Sequence, residues 1–328
     1  MQPDKYNYVI YSYPLDYFRI MFSDVIKQDN VEYIDNPIAH FYNNKLAQFL
    51  YNFHNNDYLN YLFKLPFKHV WLKHYYRDDF RNPKQKCFIF LMGWLVKENE
   101  PFFEILKMNY PDCKLLIYFE DLVSTRGYLD LSLIKKYFNL AISYDEEDAK
   151  RHNFYYYPTF LSKIDVNDNP DIANSDACFI GAAKARYDQI IRIYETLQES
   201  GVRCDFQVSR MNKGQKRHTG IRYIPYMIPY SEYLEHTNKS NCIVEIMQEH
   251  AVGYTLRTWE ALIYGKKLLT NNPSILSAPF YNDEQFRYFE RADDIDASFT
   301  KSRLEYALTS MTDKPSPIHF LHFIETIL

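Results

Sequence analysis

A short segment at residues 253–272, GYTLRTWEALIYGKKLLTNN, concentrates side chains that could bind a nucleotide. The chain has only 8 glycines in 328 residues, and two of them bracket the helical part of this segment. A helix that begins at Thr255 would present free N–H groups and a positive dipole end, which suit a phosphate. Gly253 would let the backbone approach the ligand, and Thr255 and Arg257 could bind phosphate oxygens. Glu260 could accept hydrogen bonds from a ribose diol.

The same segment has an interpretation that needs no ligand. Leu256, Trp259 and Ile263 recur at helical spacing and would pack on a sheet. Arg257 and Glu260 lie three residues apart, so they could simply form an ion pair on a solvated helix face. Spacing alone leaves both interpretations open.

Two glycines predict where helices end. Gly265 follows the last helical position of the segment, and Gly201 follows the helical stretch RYDQIIRIYETLQES in the same way. Asn271 and Asn272 come after the next apolar run, KLLT, at the carboxyl end of a predicted strand. Open α/β sheets bind ligands at that edge, so Asn271 is a candidate contact.

Short β-prone runs alternate with helical patterns along the whole chain, which predicts parallel sheets with crossover helices. The predicted strands are 7–14, 31–35, 69–76, 87–94, 114–121, 138–145, 176–181, 202–208, 241–247 and KLLTNN. Helices are predicted at 16–27, at 101–110, over LDLSLIKKY, RYDQIIRIYETLQES and SEYLEHTNK, and within 253–265, with an amphipathic segment at 40–61.

One stretch interrupts this alternation. Residues 158–176 are rich in Asn, Asp, Pro and Ser and are typical of a linker. We therefore predict an α/β fold with two Rossmann-like domains that face a cleft. The two predicted domains span 1–160 and 161–315, and a C-terminal helix is predicted at 316–328.

Composition excludes several classes of protein. The formal net charge of −4 argues against a general nucleic-acid binder. The five scattered cysteines contain no CxxC and indicate reduced thiols. No signal peptide pattern is found at the start, and the longest apolar run, at 87–96, is too short to span a bilayer. These features predict a cytoplasmic protein.

Several catalytic motifs are missing from the sequence. HExxH, GxGxxG, GxxxxGK[ST] and GxSxG do not occur, which argues against zincins, dinucleotide oxidoreductases, P-loop proteins and α/β-hydrolases. We also find no acidic pair in a setting typical of a DxD metal site, so no metal ligands are predicted.

The pattern G-x-T-x-R-x-x-E-A-L, followed by G-K-K-L-x-T-x-N and Phe280-Tyr281-Asn282, resembles bacterial lipopolysaccharide and capsule biosynthesis glycosyltransferases of the GT-B type. The stretches at 181–208 and 143–160 resemble the same group, and the resemblance covers mainly 138–290. It implies an N-terminal acceptor-side domain at 1–160, a nucleotide-sugar donor domain at 161–315, and a C-terminal helix at 316–328 that packs back across the domains. The nucleotide sugar is a co-substrate, so no cofactor is expected.

The resemblance also implies roles for individual residues. Glu260 would bind the nucleotide ribose, with Gly253, Thr255 and Arg257 around the diphosphate. Gly181 and Arg186 would come from the loop after the first strand of the donor domain, where a G-x-x-x-x-R opening can hold phosphate without a P-loop lysine. A plain strand-to-helix turn is the alternative for that pair.

An inverting transfer to a sugar hydroxyl would need a base from the N-terminal domain. Asp121, after the run KLLIYFE, is the first candidate, and Asp16, after the first strand, is the second. Either could instead cap a helix. His40, His69 and His74 are further candidates with less positional support.

The loop RMNKGQKRHTGIR at 210–222 is strongly basic. It could meet an anionic lipid-linked acceptor or the inner face of the membrane, or it could be a solvated surface loop. The expected partners are thus a nucleotide-sugar donor and a glycan or lipid-linked acceptor, with peripheral membrane contact and no nucleic acid.

The sequence favours a metal-independent glycosyltransferase that builds a surface polysaccharide or a lipid-linked glycan. Two alternatives stay open: a nucleotide-sugar epimerase of the two-Rossmann kind, and a non-catalytic nucleotide-binding subunit of polysaccharide assembly.

Overall fold

A computed structural model describes residues 2–35, 44–54, 59, 68–80, 82–125, 127, 129–212, 214–247, 253–305 and 315–328. The chain divides into two compact units. Unit 1 comprises Met1–Arg19, Asp24–Pro158 and Ile318–Leu328, and unit 2 comprises Ile20–Ser23 and Thr159–Pro317.

Unit 1 contains a parallel sheet of six strands in the order β2-β1-β3-β4-β5-β6. The strands are β1 (Asn7–Tyr11), β2 (Val31–Ile34), β3 (Lys86–Leu91), β4 (Lys114–Phe119), β5 (Leu140–Ser143) and β6 (Tyr155–Tyr156). The helices that the structure describes here are α1 (Asp16–Met21) and α2 (Ser23–Ile26), which each cross a unit boundary, followed by α3 (Lys45–His54), α4 (Glu100–Asn109), α5 (Ser132–Tyr137) and α6 (Glu146–His152).

Unit 2 contains a second parallel sheet of six strands in the order β12-β11-β10-β7-β8-β9. The strands are β7 (Ser175–Ala182), β8 (Cys204–Ser209), β9 (Arg222–Tyr223), β10 (Ser240–Glu245), β11 (Lys267–Thr270) and β12 (Phe286–Tyr288). The helices described are α7 (Tyr187–Glu199), α8 (Tyr230–Lys239), α9 (Leu256–Tyr264), α10 (Ser298–Lys301) and α11 (Pro317–Ile327), of which α11 passes almost entirely into unit 1.

The central strands read as nearly continuous apolar runs because both faces of each sheet are covered. Every residue of β1 and of β10 is buried, and β7 is buried from Ser175 to Gly181. These observations confirm the predicted α/β class with two Rossmann-like sheets.

The C-terminal helix α11 packs on the sheet of unit 1. The Tyr8 hydroxyl donates a hydrogen bond of 2.8 Å to the Glu325 carboxylate, and the Phe320 ring lies 5.1 Å from the Tyr118 ring. Phe320 and Ile324 are fully buried. The chain therefore returns to its first unit after completing its second.

Two predicted elements of unit 1 differ from the structure. The strand predicted at 69–76 is wrong, because Lys68–His74 forms a 3-10 helix. The indole N–H of Trp71 donates to Nδ1 of His54 at 2.8 Å, so this helix packs on α3 rather than joining the sheet. The single helix predicted at 16–27 is two short helices, α1 and α2, which break at Phe22.

The end of α7 shows how a glycine sets a boundary. Gly201 has a φ of +72°, its N–H donates to the Gln198 carbonyl, and the Val202 N–H donates to the Leu197 carbonyl at 3.0 Å. This pair of bonds is the Schellman motif, which satisfies carbonyls that the helix leaves unpaired. The predicted helix end is therefore confirmed.

We predict that Gly201→Ala lowers the free energy of unfolding by about 1 kcal/mol, because an alanine is strained in the left-handed region. Space is not the cause, since the nearest atom to the new methyl group would be Lys301 Nζ at 3.7 Å. Urea denaturation measures the change. Gly127→Ala is the control, since a Cβ there meets no atom within 4 Å and its φ is not in that region. Equal stabilities for both variants would contradict the motif's role.

Candidate functional site

The helix α9 begins and ends where the sequence predicts. Thr255 is its N-cap, and its hydroxyl accepts a hydrogen bond of 3.1 Å from the Arg257 N–H. Gly265 ends the helix with a φ of +60°. Trp259 and Ile263 are buried, so the apolar face packs as expected.

The Arg257 side chain reaches back to the carboxyl end of β7. Its Nη2 donates to the Ile180 carbonyl at 2.7 Å, and its Cζ lies 5.5 Å from the centre of the Phe179 ring. A guanidinium over an aromatic face gains a cation–π interaction, which keeps the charge in place without a carboxylate partner.

Arg186 reaches the same point from the short turn before α7. Its Nη1 donates to the Ile246 carbonyl just beyond β10, and its Nη2 donates to the Ala182 carbonyl at 3.3 Å. Its Cζ lies 5.7 Å from the same Phe179 ring. The structure therefore brings two predicted arginines together at one strand end.

Gly181 lies between the two guanidinium groups. A Cβ at this position would lie 3.3 Å from Arg257 Nη2 and 3.6 Å from Arg186 Nη2. It would also lie 3.3 Å from the Phe179 ring. The missing side chain therefore relieves a tight contact with Arg257 and Phe179, whereas the contact with Arg186 would be an ordinary one.

The two charges are close enough to affect each other. Burial, and secondly the charge of Arg257, lower the pKa of Arg186 to about 10. For Arg257, burial also opposes the charge, but Tyr233, Glu260 and Glu245 outweigh it and raise the pKa. Within the described residues, neither arginine forms an ion pair, and both Nε atoms are buried without a hydrogen-bond partner. An oxyanion is the ligand that this pair can bind.

Glu260 lies one turn further along α9 and is 1% exposed. The Tyr230 hydroxyl donates to its Oε1 at 2.7 Å and the Tyr233 hydroxyl donates to its Oε2 at 2.5 Å. Burial raises the pKa of this carboxyl group, while Arg257 and the two hydroxyls act in the opposite direction. Glu260 is thus not part of a solvated ion pair, and its role toward a ribose stays a prediction.

Sequence reasoning missed Glu245, the last residue of β10. Its carboxylate is 1% exposed and accepts hydrogen bonds from the Thr255 and Thr270 hydroxyls. It therefore ties the N-cap of α9 to the end of β11. A single acid in the apolar strand SNCIVE was the available signal, because a buried carboxylate needs such partners.

The asparagines hold the loops at this edge of the sheet. Asn271 Oδ1 accepts from the Met247 N–H at 2.7 Å, and Asn272 Nδ2 donates to the Gly253 carbonyl at 2.7 Å. Gly253 has a φ of +82°, so any side chain there would be strained even though the space is open. A direct contact of Asn271 or Gly253 with a ligand stays a prediction.

The two candidate bases lie in unit 1. Asp121 follows β4, and its Oδ1 accepts from the Leu122 N–H at 2.9 Å. Asp16 is the first residue of α1, and its Oδ1 accepts from the Tyr17 N–H at 2.9 Å. Both are half-buried. Their catalytic role stays a prediction.

The histidine candidates are less well defined. His74 is half-buried, and its ring lies 6.2 Å from the Trp71 ring. His40 and the side chain of His69 lie outside the described residues.

Glu120, next to Asp121, is a carboxylate that sequence reasoning passed over. Its Oε2 accepts from the Met92 N–H at 3.0 Å and its Oε1 accepts from the Tyr13 hydroxyl at 3.4 Å. The same hydroxyl accepts from the Gly93 N–H at 2.6 Å. Glu120 thus links the segments that follow β1, β3 and β4, all at the carboxyl edge of this sheet.

The basic loop at 210–222 is partly anchored. The Tyr187 hydroxyl donates to the Lys216 carbonyl at 2.6 Å, and the His218 N–H donates to the Tyr223 hydroxyl at 2.6 Å. The Arg217 guanidinium lies 5.2 Å from the Tyr223 ring. Lys213 lies outside the described residues.

The residues that the structure describes lack two kinds of feature. They contain no group of three or more His, Cys, Asp or Glu side chains that could hold a metal ion. They also contain no helix with the length and apolar character needed to cross a membrane.

We predict that Tyr233→Phe destabilises the protein by about 1.5–3 kcal/mol, because the buried Glu260 carboxylate loses a charge-assisted hydrogen bond. The pKa of Glu260 should rise further. Tyr281→Phe is the matched control, because that hydroxyl bonds to Asp283 at the surface. Urea denaturation gives both values, and a Tyr233 variant as stable as the control would contradict the importance of this bond.

No protein-family model matches the sequence, and no curated protein matches it. Solved structures do match the chain in fold. An α-glucosyltransferase in complex with UDP and a 13-mer DNA containing a central A:G mismatch has a TM-score of 0.52 at 12% identity, with 98% of each chain covered. A mutant of TarM from S. aureus, in complex with fondaparinux, α-GlcNAc-glycerol and UDP, has a TM-score of 0.44 at 12% identity. The match covers 74% of the present chain, which spans about 55% of the length of that TarM chain.

UDP-GlcNAc 2-epimerase from Neisseria meningitidis, bound to UDP-GlcNAc, has a TM-score of 0.44 at 11% identity, with 98% of this chain and 93% of that chain covered. At these identities the similarity concerns the fold. The protein has two parallel six-stranded sheets, one in each unit, and shares this α/β architecture with solved GT-B glycosyltransferases.

Proposed function

We propose that this protein is a glycosyltransferase that uses a nucleotide-sugar donor, and that Arg186 and Arg257 bind the donor diphosphate. The observation that carries the proposal is the convergence of the two guanidinium groups beside Gly181. Two half-buried cations without an ion-pair partner among the described residues favour an anion that offsets their desolvation. A diphosphate offers oxygens to both.

The place of this arginine pair in the fold agrees with such a ligand. Ala182 ends β7 and Ile246 follows β10, and β7 and β10 are neighbouring strands of the sheet. The carboxyl edge of an open parallel sheet is where nucleotides bind in doubly wound folds. The N-terminus of α9 adds a positive dipole end at the same edge.

The arginine pair also suggests how the transfer is helped. The bond from the anomeric carbon to the diphosphate breaks, and negative charge grows on the leaving oxygen. Fixed guanidinium groups stabilise that charge without rearranging, which is the most effective kind of electrostatic catalysis. In this proposal the enzyme works without a divalent metal ion.

The remaining donor contacts are assigned around this centre. Gly253, Thr255 and Asn271 surround the diphosphate, and Glu260 faces the ribose. Each oxygen of Glu260 accepts one tyrosine hydrogen bond, and a carboxylate oxygen can accept a second. Tyr230 and Tyr233 would then orient the carboxylate for a diol.

The acceptor is proposed to be a surface glycan or a lipid-linked glycan, with Asp121 or Asp16 as the base. Glu120 joins these candidates, because its position is fixed by the Met92 N–H and the Tyr13 hydroxyl. The base removes the proton from the attacking hydroxyl group as the new glycosidic bond forms.

A lipid-linked acceptor would place the protein at the inner face of a membrane. Besides the basic loop 210–222, the helix α3 supports this proposal. Its residues Leu46, Phe49, Leu50 and Phe53 recur at helical spacing and are 47–67% exposed. An apolar helix face of this kind can enter the headgroup region of a bilayer.

The test of donor binding is calorimetric titration of UDP, GDP and CMP into the protein and its variants. Arg186→Ala and Arg257→Ala should each weaken the tightest of these nucleotides by about tenfold to a hundredfold, the loss of about 1.5–3 kcal/mol expected for a charge-assisted contact. The corresponding nucleoside should lose much less. Glu260→Ala should weaken nucleotide and nucleoside alike.

The matched control is Arg192→Ala, which removes an exposed arginine from α7. Circular dichroism confirms that each variant is folded. If folded Arg186→Ala and Arg257→Ala bind as tightly as the parent, the diphosphate site lies elsewhere.

Turnover distinguishes the transferase from its two alternatives. A transferase releases nucleotide mainly when an acceptor is present, whereas an epimerase converts the free nucleotide sugar. A non-catalytic subunit binds nucleotide, yet tolerates Asp16→Asn, Glu120→Gln and Asp121→Asn in cells. Epimerisation without acceptor would replace the proposed activity.

If the protein contacts a membrane, it should bind phosphatidylglycerol vesicles. Added salt should weaken this binding, because it screens the attraction between the basic loop and the anionic lipid. Neutralising Lys213, Lys216 and Arg217 together should reproduce high salt, whereas Phe49→Ser with Phe53→Ser should weaken binding at every salt concentration. Co-sedimentation measures both. Neutralising Lys135 and Arg192 is the control, and equal binding by all variants would assign the loop to the solvated surface.

A further inference from the structure

A second site candidate lies in unit 2, at the opposite edge of the same sheet from the arginines. It is a cavity of about 590 Å³ at the amino ends of β7 and β8. Ser175 and Cys204, the first residues of these strands, line it, whereas Gly181 and Arg257 belong to the carboxyl edge. The segment before β7 and the helix α8 complete the walls.

Three side chains form a fixed polar wall in this cavity. His236 Nδ1 lies 2.5 Å from Asp205 Oδ2, and Gln207 Nε2 donates to Asp205 Oδ1 at 3.1 Å. Gln207 and His236 are buried, at 1% and 6% exposed. The contacts hold the three groups in one arrangement.

Two buried oxygens in the lining have no hydrogen-bond partner among the groups that the structure describes. They are Oε1 of Gln207 and Oγ of Ser175, whose residues are 1% and 6% exposed. Buried polar atoms in folded proteins are almost always paired, and leaving one unpaired costs about 1–3 kcal/mol. Both residues line the cavity, so a ligand bound there could supply the donors that these atoms lack.

The chemistry of the lining selects the class of ligand. Carboxylates, amides and guanidinium groups all line it, so neither sign of charge dominates. Its polar members besides the fixed wall include Asn169, Asp171, Asn174, Arg222 and Glu232. The carboxylates disfavour an anion, and the described residues offer no cluster suited to a metal ion. Neutral neighbouring hydroxyls, each a donor and an acceptor, match such a lining.

We propose that this cavity binds a saccharide, at a site separate from the donor site. The volume falls in the range of about 300–1,000 Å³ that is usual for small-ligand sites. The biological part of this inference rests on the proposed function: a glycan held here would be a second segment of the acceptor or product chain. The binding itself does not require that function.

The test is saturation-transfer NMR followed by calorimetry, with excess UDP present to occupy the nucleotide site. The probes are glucose, galactose, N-acetylglucosamine, lactose and chitobiose. We expect at least one to bind the parent protein, and Gln207→Met to weaken it at least tenfold while UDP binding stays unchanged. Gln198→Met, an exposed position in α7, is the matched control.

A second variant keeps the test valid if Gln207→Met does not fold. Asn174→Ala changes an exposed residue of the lining and should also weaken the saccharide. No binding by any probe, or unchanged binding in folded Gln207→Met and in Asn174→Ala, would overturn the proposal and leave a cavity that holds only water. Saccharide binding that UDP abolishes would also overturn it, since the probe would then occupy the nucleotide site. Failure of UDP, GDP and CMP alike to bind would contradict the proposed function alone.

Discussion

The arrangement of unit 2 depends on two guanidinium groups, those of Arg186 and Arg257, that both lie against the ring of Phe179 in β7. The two positive charges repel each other, and burial adds a desolvation cost to each. Main-chain carbonyls at Ile180, Ala182 and Ile246 accept their hydrogen bonds and hold them in place. Such carbonyls carry only partial charge, so the site remains positive.

The nearby carboxylates are kept from neutralising this charge. Glu245 accepts hydrogen bonds from Thr255 and Thr270, and Glu260 accepts from two tyrosines. Each acid is satisfied by hydroxyl groups rather than by a guanidinium group. The acids raise the pKa of Arg257 through space while its hydrogen-bonding capacity stays available. An anion-binding site benefits when its acids are paired with hydroxyl groups in this way, because a direct ion pair between an acid and an arginine would compete with the ligand.

The sequence predicts those features that depend on local patterns. Thr255 and Gly265 mark the ends of α9 because capping and positive φ are local requirements. The parallel sheets follow from buried apolar runs between helices. Glu245 could not be assigned, because its partner Thr270 lies 25 residues away and only the sheet brings them together. Trp71 shows the same limit, since an aromatic β-prone run folded as a 3-10 helix on α3.

The two edges of the sheet in unit 2 differ in electrostatic potential, and the parallel topology favours this difference. Helices that follow parallel strands begin at the carboxyl edge, so their positive ends collect there, and their negative ends collect at the amino edge. Arg186 and Arg257 strengthen the first field, which suits a diphosphate. At the other edge, the lining combines Asp205, Asp171 and Glu232 with Arg203 and Arg222, and this mixed lining suits neutral hydroxyls rather than phosphate. If both proposals hold, one sheet binds a charged ligand at its carboxyl edge and a neutral ligand at its amino edge, and the different charge at each edge keeps either site from attracting the other's ligand.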